Sequence, residues 1–163
     1  AGLVLSSPAL APLMSAFQAW QLALLFRLMP DLTLPRPVAG ERLSHDLQVV
    51  SAYKNDPLVH GRVSARLIRW LIDSGARSLA RVDRLDVPTL MLVGGADRVV
   101  NALASQRFAA NAPAGLLEMH WYDDYFHEVF NEDEPRRARV LSDLQEWLLA
   151  REVASNTVHS FSS

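Results

Sequence analysis

The sequence holds no cysteine, which excludes disulfides, thiolate metal sites and a cysteine nucleophile. Glycine is sparse, seven in 163 residues, and none of the seven opens a Gly-x-Ser. The sharp strand-to-helix turn that exposes a serine nucleophile, G-x-S-x-G, therefore has no candidate. Ser6 and Ser7 end an apolar run, but Pro8 follows and no helix can open there. An H-G-x-G segment of the kind that supplies oxyanion amides is also missing; His60-Gly61 is the nearest dipeptide. Charge of one sign is not in surplus, with 16 basic against 18 acidic residues, so there is no footprint for nucleic acid. H-E-x-x-H fails as well, since the residue four after His127 is Asn131, and no metal or other cofactor is expected. No secretory signal opens the chain, because Ala1 to Leu5 is a short apolar run with no charged residues before it. Together with the lack of cysteine, this fits a reducing, cytoplasmic setting.

What is present is an apolar chain, 50% hydrophobic, long enough to bury one sizeable core. Three strand signals stand out. Leu3 to Ser6 is the first; it has no initiator Met before it, and a domain seldom begins inside its own sheet, so a missing N-terminal half is expected. Thr89 to Val93 is a continuous apolar run between Pro88 and Gly94-Gly95, the pattern of a strand buried on both faces. Leu116 to Tyr122 is the third. A helix over Ala102 to Asn111, with Asn101 as N-cap, separates the last two. After them, Val140, Leu141, Leu144, Trp147 and Leu148 mark one face of a closing helix. The stretch 87–153 thus reads β-α-β-α, which predicts an α/β fold with parallel strands and crossover helices. Residues 154–163 are small and polar and read as a frayed tail.

Residues 9–86 differ in character. Ala9 to Met29 carries a single charge, Arg27. It approaches the length of a membrane span, about 20 residues, but Pro8, Pro12, Ser15, Gln18 and Gln21 argue against one. A buried or interfacial helix is expected instead. A second helical signal runs through Val63, Leu67, Ile68, Trp70, Leu71 and Ile72, with Arg62, Arg66, Arg69 and Asp73 on its polar side. A helical block inserted between strands of one sheet has the anatomy of a cap.

Two residues could carry chemistry. Asp97 follows the Gly94-Gly95 turn at the C-terminal end of a buried strand, the edge where sites collect in open α/β sheets. Alone it reads more readily as a turn or capping aspartate. His127 follows the last strand at the same edge, and a lone histidine is more often structural. The pair says more than either member. Neighbouring strands lie about 4.8 Å apart, so loops leaving their ends can bring a carboxylate to an imidazole, the acid–histidine half of a nucleophilic triad.

At these residues the chain resembles the monoacylglycerol lipase and lysophospholipase group of α/β-hydrolases, often filed with serine aminopeptidase S33. The matching pieces are the run from Leu3 to Leu10, Asn55-Asp56-Pro57-Leu58-Val59, the block from Val87 to Val100, and Tyr125-Phe126-His127-Glu128-Val129-Phe130-Asn131-Glu132. The resemblance implies the C-terminal part of an α/β-hydrolase: residues 1–8 a core strand, 9–86 a cap and the return to the core, and 87–153 the last strands and helices. It implies Asp97 as triad acid and His127 as triad base, with the serine missing from the chain. It also implies an acyl ester or lipid substrate, with Phe17, Trp20, Leu24 and Leu25 lining an acyl channel or making a peripheral membrane contact. Other α/β-hydrolases remain open (esterase, peptidase, epoxide or haloalkane hydrolase), because fold does not fix substrate. So does a non-catalytic fragment that only binds lipid.

Overall fold

The computed structural model describes residues 1–35, 38–59 and 61–160. Its core is a parallel sheet of β1 (Leu3–Ser6), β4 (Thr89–Gly94) and β5 (Leu117–Tyr122), in the order β1-β4-β5. Leu3 pairs with Thr89, and Gly94 with Tyr122. All six residues of β4 are buried, as its unbroken apolar run predicts for a strand covered on both faces. Met91 and Val93 pack with Leu10, Val82, Ala104 and Phe108 on one side. Leu90 and Leu92 pack with Tyr122, Tyr125, Val129, Val140 and Trp147 on the other.

One crossover helix and the closing helix contribute to those layers. α4 (Ala102–Asn111) begins at Asn101, whose side chain accepts the Leu103 N–H, satisfying one of the first-turn donors. The closing helix, α5 (Arg136–Ser160), buries Val140 and Trp147 but leaves Leu141 and Leu148 about half exposed. The sequence predicts one face holding all five apolar residues. A turn of 3.6 residues sets i and i+1 about 100° apart, so the second member of each adjacent pair rotates outward. The backbone stays helical through Ser160, past Ala154, where a tail is predicted; no Gly or Pro between them stops it.

Residues 9–86 form α1 (Ala16–Leu28), β2 (Thr33–Pro35), α2 (Leu47–Asn55), β3 (Arg62–Ser64) and α3 (Ala65–Ala80). β2 and β3 make a small antiparallel ribbon. α1 opens on a capping box between Ser15 and Gln18, and Ser64 caps α3. α3 docks tightly on the segment after β1, since a Cβ at Gly75 would come within 2.5 Å of the Ala9 carbonyl oxygen. Of the two expectations for α1, burial fails: among its described side chains only Phe26 is buried. Among the described residues, no helix is long and apolar enough to cross a membrane.

Candidate active site

The site lies at the C-terminal ends of β4 and β5. Gly94 and Gly95 end β4, and more than a tight turn requires them. A Cβ on Gly94 would lie 2.0 Å from the Phe126 carbonyl oxygen, and one on Gly95 would lie 2.7 Å from the Trp121 indole nitrogen. Their bareness lets the two loops close on each other, and backbone bonds fix the contact: Gly95 N–H to the Tyr122 carbonyl at 2.7 Å and Ala96 N–H to the Tyr125 carbonyl at 3.0 Å.

In this frame Asp97 Oδ2 stands 2.7 Å from His127 Nδ1. The Asp97 side chain is fully buried and that of His127 is 24% exposed. The other carboxylate oxygen, Oδ1, accepts the N–H groups of Val99 at 2.7 Å and Val100 at 3.0 Å. Both readings of Asp97, turn residue and histidine partner, thus hold at once, one oxygen for each. With Nδ1 committed to Asp97, Nε2 is the ring nitrogen that can take up and release a proton. Among the described residues no serine hydroxyl bonds His127. Ser7 has a positive φ of 37° at the end of β1, but it is buried, and its hydroxyl accepts the Gly94 N–H. His60 lies outside the described residues.

A cavity of about 570 Å³ lies beside the Asp97 loop, whose Arg98, Val99 and Val100 form part of its wall. Most of the rest is apolar: Ala11, Pro12 and Leu13, Leu58 and Val59, Val63 of β3, and Leu67, Ile68, Leu71 and Ile72 of α3, with Arg42 and Arg62 also in the wall. Phe17, Trp20, Leu24 and Leu25 do not line it. Phe17, Trp20 and Leu24 are exposed, Leu25 is half-buried, and the Phe17 and Trp20 rings stack at 6.1 Å. The α3 stripe takes the lining role because α3, not α1, packs against the segment that leads from the sheet. Groups of three or more His, Asp or Glu able to hold a metal are absent among the described residues.

One part of the site has partners that the sequence does not signal. Glu132 is fully buried, and its Oε1 accepts the Phe126 N–H at 2.6 Å. It also meets Ser44 and His45, 87 or 88 residues earlier. The position of Glu132 five after His127 is visible in the sequence; its partners, so far away along the chain, are not.

A parallel sheet with crossover helices, carrying a carboxylate–imidazole pair on the loops after adjacent strands, defines an α/β-hydrolase core. Residues 1–134 match the family described as Serine aminopeptidase, S33, and the chain belongs to it. A monoacylglycerol lipase of Mycolicibacterium smegmatis is 33% identical over 112 residues, 68% of this chain and 39% of that protein. The Rattus norvegicus monoglyceride lipase is 25% identical over 150 residues, 91% of this chain and 48% of that protein. The chain therefore spans less than half the length of either curated relative. The crystal structure of the monoacylglycerol lipase of Paleococcus ferrophilus superposes with a TM-score of 0.81 at 30% identity, covering 91% of this chain and 58% of that one.

Proposed function

We propose that Asp97 and His127 are the acid and base of a serine-hydrolase triad, and that the substrate is a carboxylic ester with a long or medium acyl chain. The observation that carries this reading is the 2.7 Å contact between Asp97 and His127, made from a loop whose next residues, Arg98 to Val100, form part of the wall of an apolar cavity. Serine attacks the ester carbonyl while His127 Nε2 accepts its proton. The imidazolium then protonates the leaving alkoxide, and the acyl-serine is hydrolysed with His127 again acting as base. Asp97 holds the tautomer and stabilises the imidazolium. No Gly-x-Ser occurs in the 163 residues, so the nucleophile is supplied from outside them. Monoacylglycerols and lysophospholipids both suit a mostly apolar pocket beside the loop that carries Asp97.

Residues 9–86 act as the cap over this site in the same reading. Phe17, Trp20, Leu24, Leu28 and Met29 are all exposed, which suits an apolar face that rests on a lipid surface while the α3 stripe receives the acyl chain.

The decisive experiment is hydrolysis of a monoacylglycerol, a lysophospholipid and an aminoacyl amide by the full-length hydrolase and its His127→Ala variant. Ester turnover that disappears in the variant is expected. Turnover near wild type in His127→Ala would overturn the assignment, and preference for the amide would overturn the substrate class.

A further inference from the structure

We propose that Glu132 is a positioning residue: it locks the loop bearing His127 to the distant segment Leu43–His45 and so holds the imidazole against Asp97. The inference rests on the reading of Asp97 and His127 as the proton-handling pair. A carboxylate in the interior is costly unless its lone pairs are met. Those of Glu132 are met by the residue before the histidine and by the segment Ser44–His45. Oε1 accepts the N–H of Phe126, the residue before His127, at 2.6 Å. Oε2 accepts the His45 N–H at 2.8 Å, and His45 Nδ1 lies 3.0 Å from Oε1.

The residue on the other side of His127 is held by the same segment. Glu128 donates its N–H to the Leu43 carbonyl at 2.9 Å. Ser44 donates its hydroxyl to the Asn131 carbonyl at 2.7 Å. Both chain neighbours of His127 are therefore pinned, directly or through Glu132, to residues 43–45. The rings add a third tie. His45 stacks on Phe126 with centroids 3.7 Å apart, and Arg98, next to Asp97, sits 4.3 Å from the Phe126 ring. Glu132 is the group through which the Phe126 amide and the His45 amide are joined. Without it the loop keeps its hydrophobic seat but loses the bond nearest the imidazole.

The test compares Glu132→Ala, Glu132→Gln, Val140→Ala and His127→Ala in the full-length hydrolase. Val140 is fully buried in the core cluster with Tyr125 and Val129 of the same loop, so its variant reports what looser packing of the loop does while the Glu132 bonds stay in place. A displacement of about 1 Å in a catalytic group costs about 10²-fold, so Glu132→Ala is expected to lower kcat about 10²-fold with KM held within about twofold, and Glu132→Gln, which keeps an acceptor for the Phe126 N–H, about tenfold. The downfield proton resonance of the His127 Nδ1–H is expected to weaken in Glu132→Ala and persist in Val140→Ala. Where Glu132→Ala does not fold, Glu132→Gln carries the measurement. Wild-type kcat in the variant that folds, or an intact Nδ1–H resonance, would overturn the positioning role while leaving His127→Ala inactive. Activity retained in His127→Ala would instead overturn the triad reading itself.

Discussion

Gly94 lies directly beneath Phe126, so close that a single methyl group on its Cα would stand 2.0 Å from the Phe126 carbonyl oxygen. The obstacle is backbone rather than a movable side chain, so no rotamer change relieves it. Gly94→Ala must push the His127 loop away from the end of β4. Overpacking of this kind costs about 1–3 kcal/mol, and the upper end is expected here. Urea unfolding should show the lowered midpoint, and hydrolysis by the full-length protein should fall with it, because the displaced loop carries His127.

Asp97→Asn separates the two tasks of the aspartate. The amide oxygen can still accept from Val99 and Val100, as Oδ1 does at 2.7 and 3.0 Å, so the turn and the melting temperature should be nearly unchanged. Toward His127 the amide no longer fixes the tautomer or stabilises the imidazolium. In the proposed triad that loss is expected to lower kcat about 10⁴-fold. Asp97→Ala should lose the same activity and also unfold earlier, because the turn donors are left without an acceptor.

The sheet and α4 are legible in the sequence because their signals are local. An apolar run bounded by Pro88 and Gly94-Gly95 gives β4, and Asn101 marks the start of its crossover helix. The Asp97–His127 pair is legible for a related reason: parallel topology places the ends of successive strands side by side, whatever the intervening sequence. The Glu132 clamp is not, since no local pattern links a glutamate to residues 87 positions upstream. The set of residues lining the cavity also escapes local reading. Phe17 and Trp20 look like lining by hydrophobicity alone, yet which helix covers the cavity depends on how α3 docks, through Gly75 against the Ala9 and Leu10 carbonyls.

His120 on β5 predicts a pH dependence of stability away from the site. Burial acts to lower its pKa, but the bond to Glu118 at 2.8 Å and the charge and bond of Asp143 at 3.2 Å outweigh that, and the net shift is upward. A raised pKa in the folded state means the folded protein holds the proton more tightly than the unfolded chain. The stabilisation is complete below the ordinary histidine value of about 6.5 and is lost as pH rises through the folded value. Urea midpoints measured from pH 5.5 to 8.5 should show wild type most ahead of His120→Gln at the acid end, with the gap narrowing as pH rises. A gap that widened toward pH 8.5 would contradict the assigned partners.

Phe17 and Trp20 are 65% and 61% exposed and stack on each other, an arrangement that contributes little to the core. Replacing either by serine should therefore leave the unfolding midpoint almost unmoved. If this face rests on lipid, the cost appears in vesicle binding instead. An aromatic that buries about half its surface contributes about 1.4 kcal/mol, roughly tenfold in partitioning. Cosedimentation with phosphatidylcholine vesicles should fall about tenfold for Trp20→Ser and by up to the product of both effects for the double variant. Hydrolysis of a short, water-soluble ester by the full-length protein should stay unchanged, because the cavity wall is built from α3 and the Asp97 loop. Equal losses on the soluble and the vesicle-borne substrate would place these rings in the substrate path rather than on a membrane face.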